Sequence, residues 1–484
     1  MTNLHYRTAK QLAQMVRRKK VSAVELLDHH LNRVSALNTE LNAVVALDTA
    51  GAKKRARAVD AALAKGETVG PLAGVPMTVK ESFDVAGLAT TWGVPELKGN
   101  VAKRNAIAVD RLLAAGAVVF GKTNVPIHLA DWQSFNAIYG TTNNPWDLTL
   151  SPGGSSGGSA AALAAGLSAL ELGSDIGASI RNPAHYCGVF GHKPTWGICT
   201  PRGQALPGVV ATSDISVIGP LARSVDDLDL ALSVVAGPDD IDGVGWRLDL
   251  PPPRKERAAE LRIAVMLDDP CSEVDLEVQD RISAVARMLG REGAKVSYKA
   301  RPTFDTAEAN RIYILLLRAA TSGRVPEAAF DKALAAVRRL KDDDDRYLSL
   351  MMRGQTLHHR GWLALNNRRH QMRLAWADFF KDWDVLLCPA AASAAMPHDH
   401  AGERHDRKIT VNGRRVPTTD QLFWAGYSGV AYLPSTIAPA GLTPKGLPVG
   451  VQIVGPQYGD RTTIHVARLI ERELGGFVPP PAYI

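Results

Sequence analysis

Apolar positions recur along this chain with two different periods. Up to about residue 65 the period is helical. Ser22-Ala23-Val24-Glu25 has the form of a capping box, and it opens a stretch whose apolar residues Val24, Leu27, Leu31 and Val34 return every three or four positions. Thr49 to Lys65, rich in Ala, Lys and Arg, predicts a second helix that stops at Gly66. Its basic run, Lys53 to Arg57, reads as a solvated face. From Gly70 short apolar runs alternate with helical patterns. Val75–Val79, Ala117–Phe120 and Leu167–Leu172 predict strands, and Ala106–Ala115 and Ser224–Ala236 predict helices. Such alternation predicts an α/β fold with a largely parallel or mixed sheet covered on both faces.

Gly237 to Lys255, with Gly, Asp and three consecutive prolines, is the clearest internal break. Beyond it, Leu261–Met266 predicts a strand, and Asp275–Lys381 is mostly helical in pattern. The charged patch Lys341–Arg346 within it reads as a solvated turn or helix end. Asp384–Cys388 predicts a strand, Val411-Asn412-Gly413-Arg414 a hairpin turn, Tyr432–Ala438 and Leu447–Val454 further strands, and Asp460–Leu474 a closing helix. No internal repeat is present. The longest apolar stretch, Ala160–Leu170, is interrupted by Gly166 and Ser168 and falls well short of the ~20 residues a membrane span needs.

Composition narrows the picture only a little. The 484 residues are 46% hydrophobic and 22% charged, as in an ordinary globular protein rather than a disordered or fibrous one. A net charge of +7 on this length licenses no claim of nucleic-acid binding. The four cysteines, Cys187, Cys199, Cys271 and Cys388, have no CxxC spacing and read as free thiols of a reducing compartment. The start carries no apolar secretion signal, so the expectation is a cytoplasmic protein.

Ser151 to Ser159 (SPGGSSGGS), just ahead of an Ala/Leu-rich helix, calls for a physical reason. A phosphate cradle is disfavoured because the Gly-Lys-Ser/Thr ending and the GxGxxG spacing are both missing. A flexible linker fits poorly with a helix following at once. The alternative is a catalytic loop whose backbone approaches a substrate closely and whose hydroxyls point inward. The segment Gly153–Ser159, followed 24 residues after Ser155 by Ser179 within Asp175-Ile176-Gly177-Ala178-Ser179-Ile180-Arg181-Asn182-Pro183, resembles the amidase signature family. Gly74–Glu81, Gly121–Asn124, Tyr139-Gly140 through Asn144-Pro145, Gly191–Thr195 and Leu447–Gln452 fit the same family in order. The resemblance covers residues 70–235 and 430–475.

The resemblance implies an α/β/α sandwich, a large mixed β-sheet between helical layers, as one domain over residues 1–484. Within it would lie N-terminal helices at 1–65, a catalytic core at 70–235, a mostly helical substrate-side region at 265–425 and closing elements at 430–475. It also implies a Ser–Ser–Lys triad, with Ser179 as nucleophile, Ser155 as bridge after a cis Gly154–Ser155 bond, and Lys80 as base. Those residue types suit the chemistry. A serine hydroxyl needs something to take its proton, and a lysine can do so at neutral pH only when burial lowers its pKa from about 10.4.

By the same resemblance, backbone N–H groups of Ile176, Gly177, Ala178 and Ser179 form an oxyanion hole, Asp175 and Arg181 a structural ion pair behind it, and Ser156 a supporting hydroxyl. Ala178 departs from the family's commoner Gly, which bears on the loop's geometry because a Cβ restricts positive φ. Leu129, Trp132 and Gln133 are expected to line the acyl pocket. Tyr313, Leu316, Trp362, Phe423, Trp424 and Tyr427 are candidates for the leaving-group side, though core packing is the readier reading for each.

His398, His400 and His405 lack a frame of metal-ligand spacing, and the pairs His29-His30 and His358-His359 point about 100° apart on a helix. No metal or cofactor is therefore expected. The expected function is hydrolysis of an amide C–N bond, of aryl or medium-sized acyl amides. The partner is a small-molecule amide or carbamate substrate, with no nucleic acid and no membrane, acted on by a monomer or homodimer. Carbamate, anilide or ester hydrolysis is the alternative within the family. The amidase component of a tRNA-dependent amidotransferase and a binding protein on an inactivated scaffold are the readings from other classes.

Overall fold

A computed structural model describes residues 4–484. An 11-stranded mixed sheet runs through the molecule. Its order is Val44–Leu47, Val118–Thr123, Pro76–Lys80, Glu171–Asp175, Val217–Ala222, Phe190–Lys193, Ser435–Leu442, Pro448–Val454, Val385–Pro389, Arg262–Val265, Lys295–Ser297. Pro76–Lys80 runs parallel to both of its neighbours, whereas Glu171–Asp175 is antiparallel to Val217–Ala222. The strands Pro76–Lys80, Val118–Thr123, Glu171–Asp175 and Val217–Ala222 are buried at every residue. Full burial requires cover on both faces, and helices supply it, the expected α/β/α arrangement. Gly157–Ala164 packs with Arg181–Cys187 beside the central strands, and Val225–Val235 packs with Asp460–Leu474.

The local signals explain most of the helices. Ser22 and Glu25 close the capping box of Ala23–Leu41, each side chain bonded to the other's backbone N–H. Ser224 caps Val225–Val235 through the Asp227 N–H. Thr49–Ala64 ends before Gly66, which has φ +76°, and Asp460–Leu474 ends at a left-handed Gly475. Asn412 (φ +49°) and Gly413 (φ +77°) make the turn between Lys408–Val411 and Arg414–Pro417.

Several elements differ from the sequence pattern. Of the run Leu167–Leu172 the first four residues are irregular, and the strand is Glu171–Asp175. There the Ser168 hydroxyl donates to Leu170 O at 2.8 Å and accepts the Thr78 N–H at 3.0 Å, bending the chain before the strand begins. Similarly, the strand expected at Tyr432–Ala438 starts at Ser435. The helical region after residue 265 also contributes Lys295–Ser297 to the main sheet, paired with Arg262–Val265. Among the described residues no helix is long and apolar enough to cross a membrane.

Candidate active site

Lys80 ends the third strand from one edge of the sheet, between two parallel neighbours, where side chains leave the strand ends toward a common crevice. It is fully buried. Its Nζ lies 2.7 Å from Ser155 Oγ, 3.0 Å from Ser174 Oγ and 3.4 Å from Ser174 O. No carboxylate touches it. Burial pushes its pKa down to about 7; the nearby Asp175 charge opposes that shift and the Arg324 charge adds to it. An amine that burial brings toward its neutral form is what a serine-activating base requires.

The Gly/Ser segment is buried from Ser151 to Ser159. Its glycines allow close approach: a Cβ on Gly154 would lie 2.5 Å from Asp131 O, and one on Gly158 2.4 Å from Asn124 N. The Gly154–Ser155 peptide is cis, and the Gly154 N–H donates to Asn182 Oδ1 at 3.1 Å. The Ser156 N–H donates to Ser179 O at 3.1 Å, stitching the segment to the loop that carries Ser179. Ser156 Oγ lies 3.4 Å from Ser174 O. The Ser179 hydroxyl makes no hydrogen bond among the described residues, to Ser155 or to any other, and it is not sealed from solvent. Thus Lys80 and Ser155 are in contact, and Ser179 is held beside them by backbone rather than by its hydroxyl.

Asp175 organises the loop from Ile176 to Arg181. Its carboxylate accepts the N–H groups of Ala178 (2.9 Å), Ile180 (3.1 Å) and Arg181 (3.3 Å), together with Arg181 Nε (3.0 Å) and Nη2 (2.9 Å). Burial alone would raise this carboxyl's pKa, but Arg181 and these donors hold it below the ordinary value. Arg181 also reaches Gln452 Oε1 (2.8 Å), Ser428 Oγ (3.1 Å) and Ala425 O (3.0 Å), so the pair is buried with its donors satisfied.

The loop departs from expectation at Ala178. Its N–H is engaged by Asp175, which leaves Ile176, Gly177 and Ser179 as the N–H groups with no acceptor among the described residues. Ala178 adopts φ +68°, so the chain takes the left-handed conformation despite the Cβ.

Two of the three residues expected to line the acyl pocket have their polar atoms engaged by backbone. Trp132 is buried and its indole Nε1–H donates to Gly177 O at 2.6 Å. Gln133 is buried with both amide atoms on the Asp399 backbone, at 2.6 and 2.9 Å. Leu129 alone remains half-buried, with φ +58°. Tyr313, a candidate for the leaving-group side, instead donates its hydroxyl to Ile176 O at 3.1 Å. Because C=O and N–H of one peptide point opposite ways, holding Ile176 O turns the Gly177 N–H the other way, and holding Gly177 O aims the Ala178 N–H at Asp175.

Sequence reasoning missed Ser174 and Gln204. Ser174 Oγ bonds Lys80, and Gln204 Nε2 lies 3.2 Å from both Ser174 Oγ and Ser82 Oγ. The only sequence signal was a serine directly before Asp175. Gln204 also borders a cavity of about 540 Å³ whose wall includes Trp92, Val101, Leu206, Val209 and Arg324. The cavity adjoins the Lys80 cluster through that glutamine.

A sequence model of the amidase family matches residues 25–464. The chain is 34% identical to a glutamyl-tRNA(Gln) amidotransferase subunit of Acidothermus cellulolyticus, over 97% of this chain and 95% of that protein. It is 33% identical to indoleacetamide hydrolase of Bradyrhizobium diazoefficiens, over 97% and 86%. The solved structure of 6-aminohexanoate cyclic dimer hydrolase complexed with substrate superposes with a TM-score of 0.78 at 26% identity, covering 97% of this chain and 98% of that one.

Proposed function

This chain belongs to the amidase family, and on that premise we propose that it hydrolyses a small-molecule amide through an acyl-enzyme on Ser179. The observation that carries the reading is the contact between a fully buried lysine without a carboxylate partner and Ser155. The lone pair of neutral Lys80 accepts the Ser155 proton while Ser155 takes the proton of Ser179, so Ser179 Oγ attacks the carbonyl as an incipient alkoxide. The unengaged N–H groups of Ile176, Gly177 and Ser179 support the reading that the oxyanion is bound there, where loss of one donor typically costs about 3 kcal/mol. The relay then runs backward. The proton on Lys80 returns through Ser155 to the leaving amine, the C–N bond breaks, and water repeats the sequence on the ester.

Aryl or medium-sized acyl amides suit the largely apolar cavity beside Gln204, and a carbamate would pass through the same steps. The experiment is a panel of primary amide, anilide, aryl carbamate and aryl ester with wild type and Ser179→Ala, alongside mass spectrometry of the quenched enzyme. An acyl adduct on the Ser179 peptide, absent in the variant, is expected; turnover persisting in Ser179→Ala overturns the assignment.

The likeness to a component of an amidotransferase favours a second reading, in which the chain works within a larger assembly. Full amide turnover by the isolated chain rejects it. Turnover that appears only with a copurifying partner supports it.

A further inference from the structure

Two arginines flank the loop that precedes Trp132, and a third, Arg318, is close enough to Arg404 for their charges to act on each other. Arg324 Nη1 donates to His128 O at 2.9 Å, and Arg404 Nη1 lies 3.5 Å from Ala130 O, so the two guanidiniums flank one short stretch of backbone. Arg318 follows Tyr313 on Thr306–Ala320, and Tyr313 holds Ile176 O. Each guanidinium lies over an aromatic face: Arg318 over Tyr347 at 5.4 Å, Arg324 over Trp92 at 4.8 Å and Arg404 over Trp132 at 5.6 Å. Trp132 in turn carries Gly177 O, so the Arg404 charge stands one ring away from the oxyanion loop.

The cluster is short of counter-charge. Each of the three arginines bonds only a neutral oxygen, Arg318 that of the Tyr347 hydroxyl, and none makes an ion pair among the described residues. Arg318 Nε and Arg404 Nε and Nη2 are buried with no partner. Asp131 is the acid whose charge acts on Arg404; its Oδ2 is bonded to Arg407 Nη1 at 2.5 Å, and its buried Oδ1 has no partner. Burial lowers the pKa of all three guanidiniums, Arg318 to about 10. The three side chains are half-buried, and charges withdrawn from water are ordinarily paired. A guanidinium stacked on a ring still offers its in-plane N–H edge to a planar anion. Arg324, alone of the three, lines the 540 Å³ cavity and acts on Lys80 by its charge, which places that end of the cluster beside the candidate site.

We propose that Arg318, Arg324 and Arg404 receive a carboxylate carried by the substrate, so that the amide cleaved belongs to an anionic molecule. This names the substrate class of the site described above and rests on that reading. Substrate binding then completes an ion pair that the free protein lacks, and an amide without the carboxylate leaves the donors unmet.

The test uses binding to Ser179→Ala by calorimetry, where no turnover is needed. One arm compares glutaryl-4-nitroanilide with hexanoyl-4-nitroanilide, placing the charge on the acyl side. The other compares butyryl-4-aminobenzoate with butyryl-4-toluidide, placing it on the amine side. In at least one arm the charged member is expected to bind about 10- to 100-fold tighter, as for a charge-assisted hydrogen-bonded pair. That preference is expected to shrink with added salt, to fall toward one in Arg404→Gln and in Arg324→Gln, and to be partly restored in Arg404→Lys. Equal binding of charged and neutral members in both arms overturns the proposal, as does a preference that survives both glutamine substitutions. The amide-hydrolase reading fails separately, if the wild type binds these compounds and cleaves none. Thermal unfolding of each variant separates a lost contact from a lost fold.

Discussion

The segment from Ser151 to Asn182 carries the loop Ile176–Arg181, the helices from Thr306 to Asp382 meet that loop through Tyr313, and the two regions are built on opposite terms. In the first, every residue except Ile176 is buried, and the polar groups are largely spent on fixed partners, as with Asp175 and its donors. In the second, a buried face of Ile312, Tyr313, Leu316 and Trp376 backs a surface of exposed ion pairs such as Arg368–Glu308 and Lys381–Asp378. Exposed pairs of that kind contribute little, so the helices are held by packing and can vary outside it. The difference teaches a division of labour. The segment fixes the reacting groups, while the helices lend single side chains, Tyr313 to the loop and Arg318 to the arginine cluster.

The sharpest way to break that division is at the chemistry itself. Ser179→Ala and Lys80→Met are each expected to lower kcat by about 10³-fold or more while leaving a folded protein. In the wild type, kcat/KM is expected to rise with pH through about 7, as Lys80 loses its proton. Stability follows the same group. Its folded pKa lies below the unfolded value, so between about pH 7 and the ordinary lysine range the unfolded chain binds the extra proton, and stability rises with pH. Lys80→Met removes that slope and is expected to melt higher than wild type near pH 7; a lower melting temperature with an unchanged slope would sink the assignment.

Asp175→Asn is next in size. It leaves Arg181 buried without its charge partner and is expected to destabilise by about 3–5 kcal/mol, measurable by denaturant unfolding. An equal change at an exposed helix pair, Glu308→Gln, is expected to cost less than about 1 kcal/mol. Comparable losses at the two sites would erase the contrast between the regions.

Trp132→Phe and Tyr313→Phe each remove one donor from a loop carbonyl. A net loss of about 1 kcal/mol per bond predicts roughly a fivefold fall in kcat with little change in KM, since both act through the loop. A change in KM alone would return them to the pocket wall. Ala178→Gly is the smallest. Relief of a left-handed alanine and loss of a buried methyl are each about 1 kcal/mol and opposite in sign, so the melting temperature is expected to stay nearly unchanged.

Much of the molecule was legible in its sequence because some signals are local. Capping boxes, the Asn-Gly turn and the glycine stops act over three or four residues, and the helices they bound are the ones found, among them Ala23–Leu41, Val225–Val235 and Asp460–Leu474. The short strands Val44–Leu47, Phe190–Lys193 and Lys295–Ser297 were not legible, because they owe their conformation to neighbours far along the chain rather than to their own pattern. The same holds at the site. Lys80, Ser155 and Ser179 stand out by residue type and spacing, but Ser174 and Gln204 carry no signal until folding brings them to Lys80.

What the sequence determined by itself is which groups are present, in what order, and where the chain can turn sharply enough to bring glycines against neighbouring backbone. Only the tertiary structure decided their states. Lys80 is pushed toward neutrality because it is buried and no carboxylate touches it, the loop's N–H groups are sorted because Asp175, Tyr313 and Trp132 take hold of particular atoms, and three arginines make no ion pair among the described residues. Each of those outcomes depends on distances between residues far apart in the chain and on the exclusion of water, and neither is set by residue order alone.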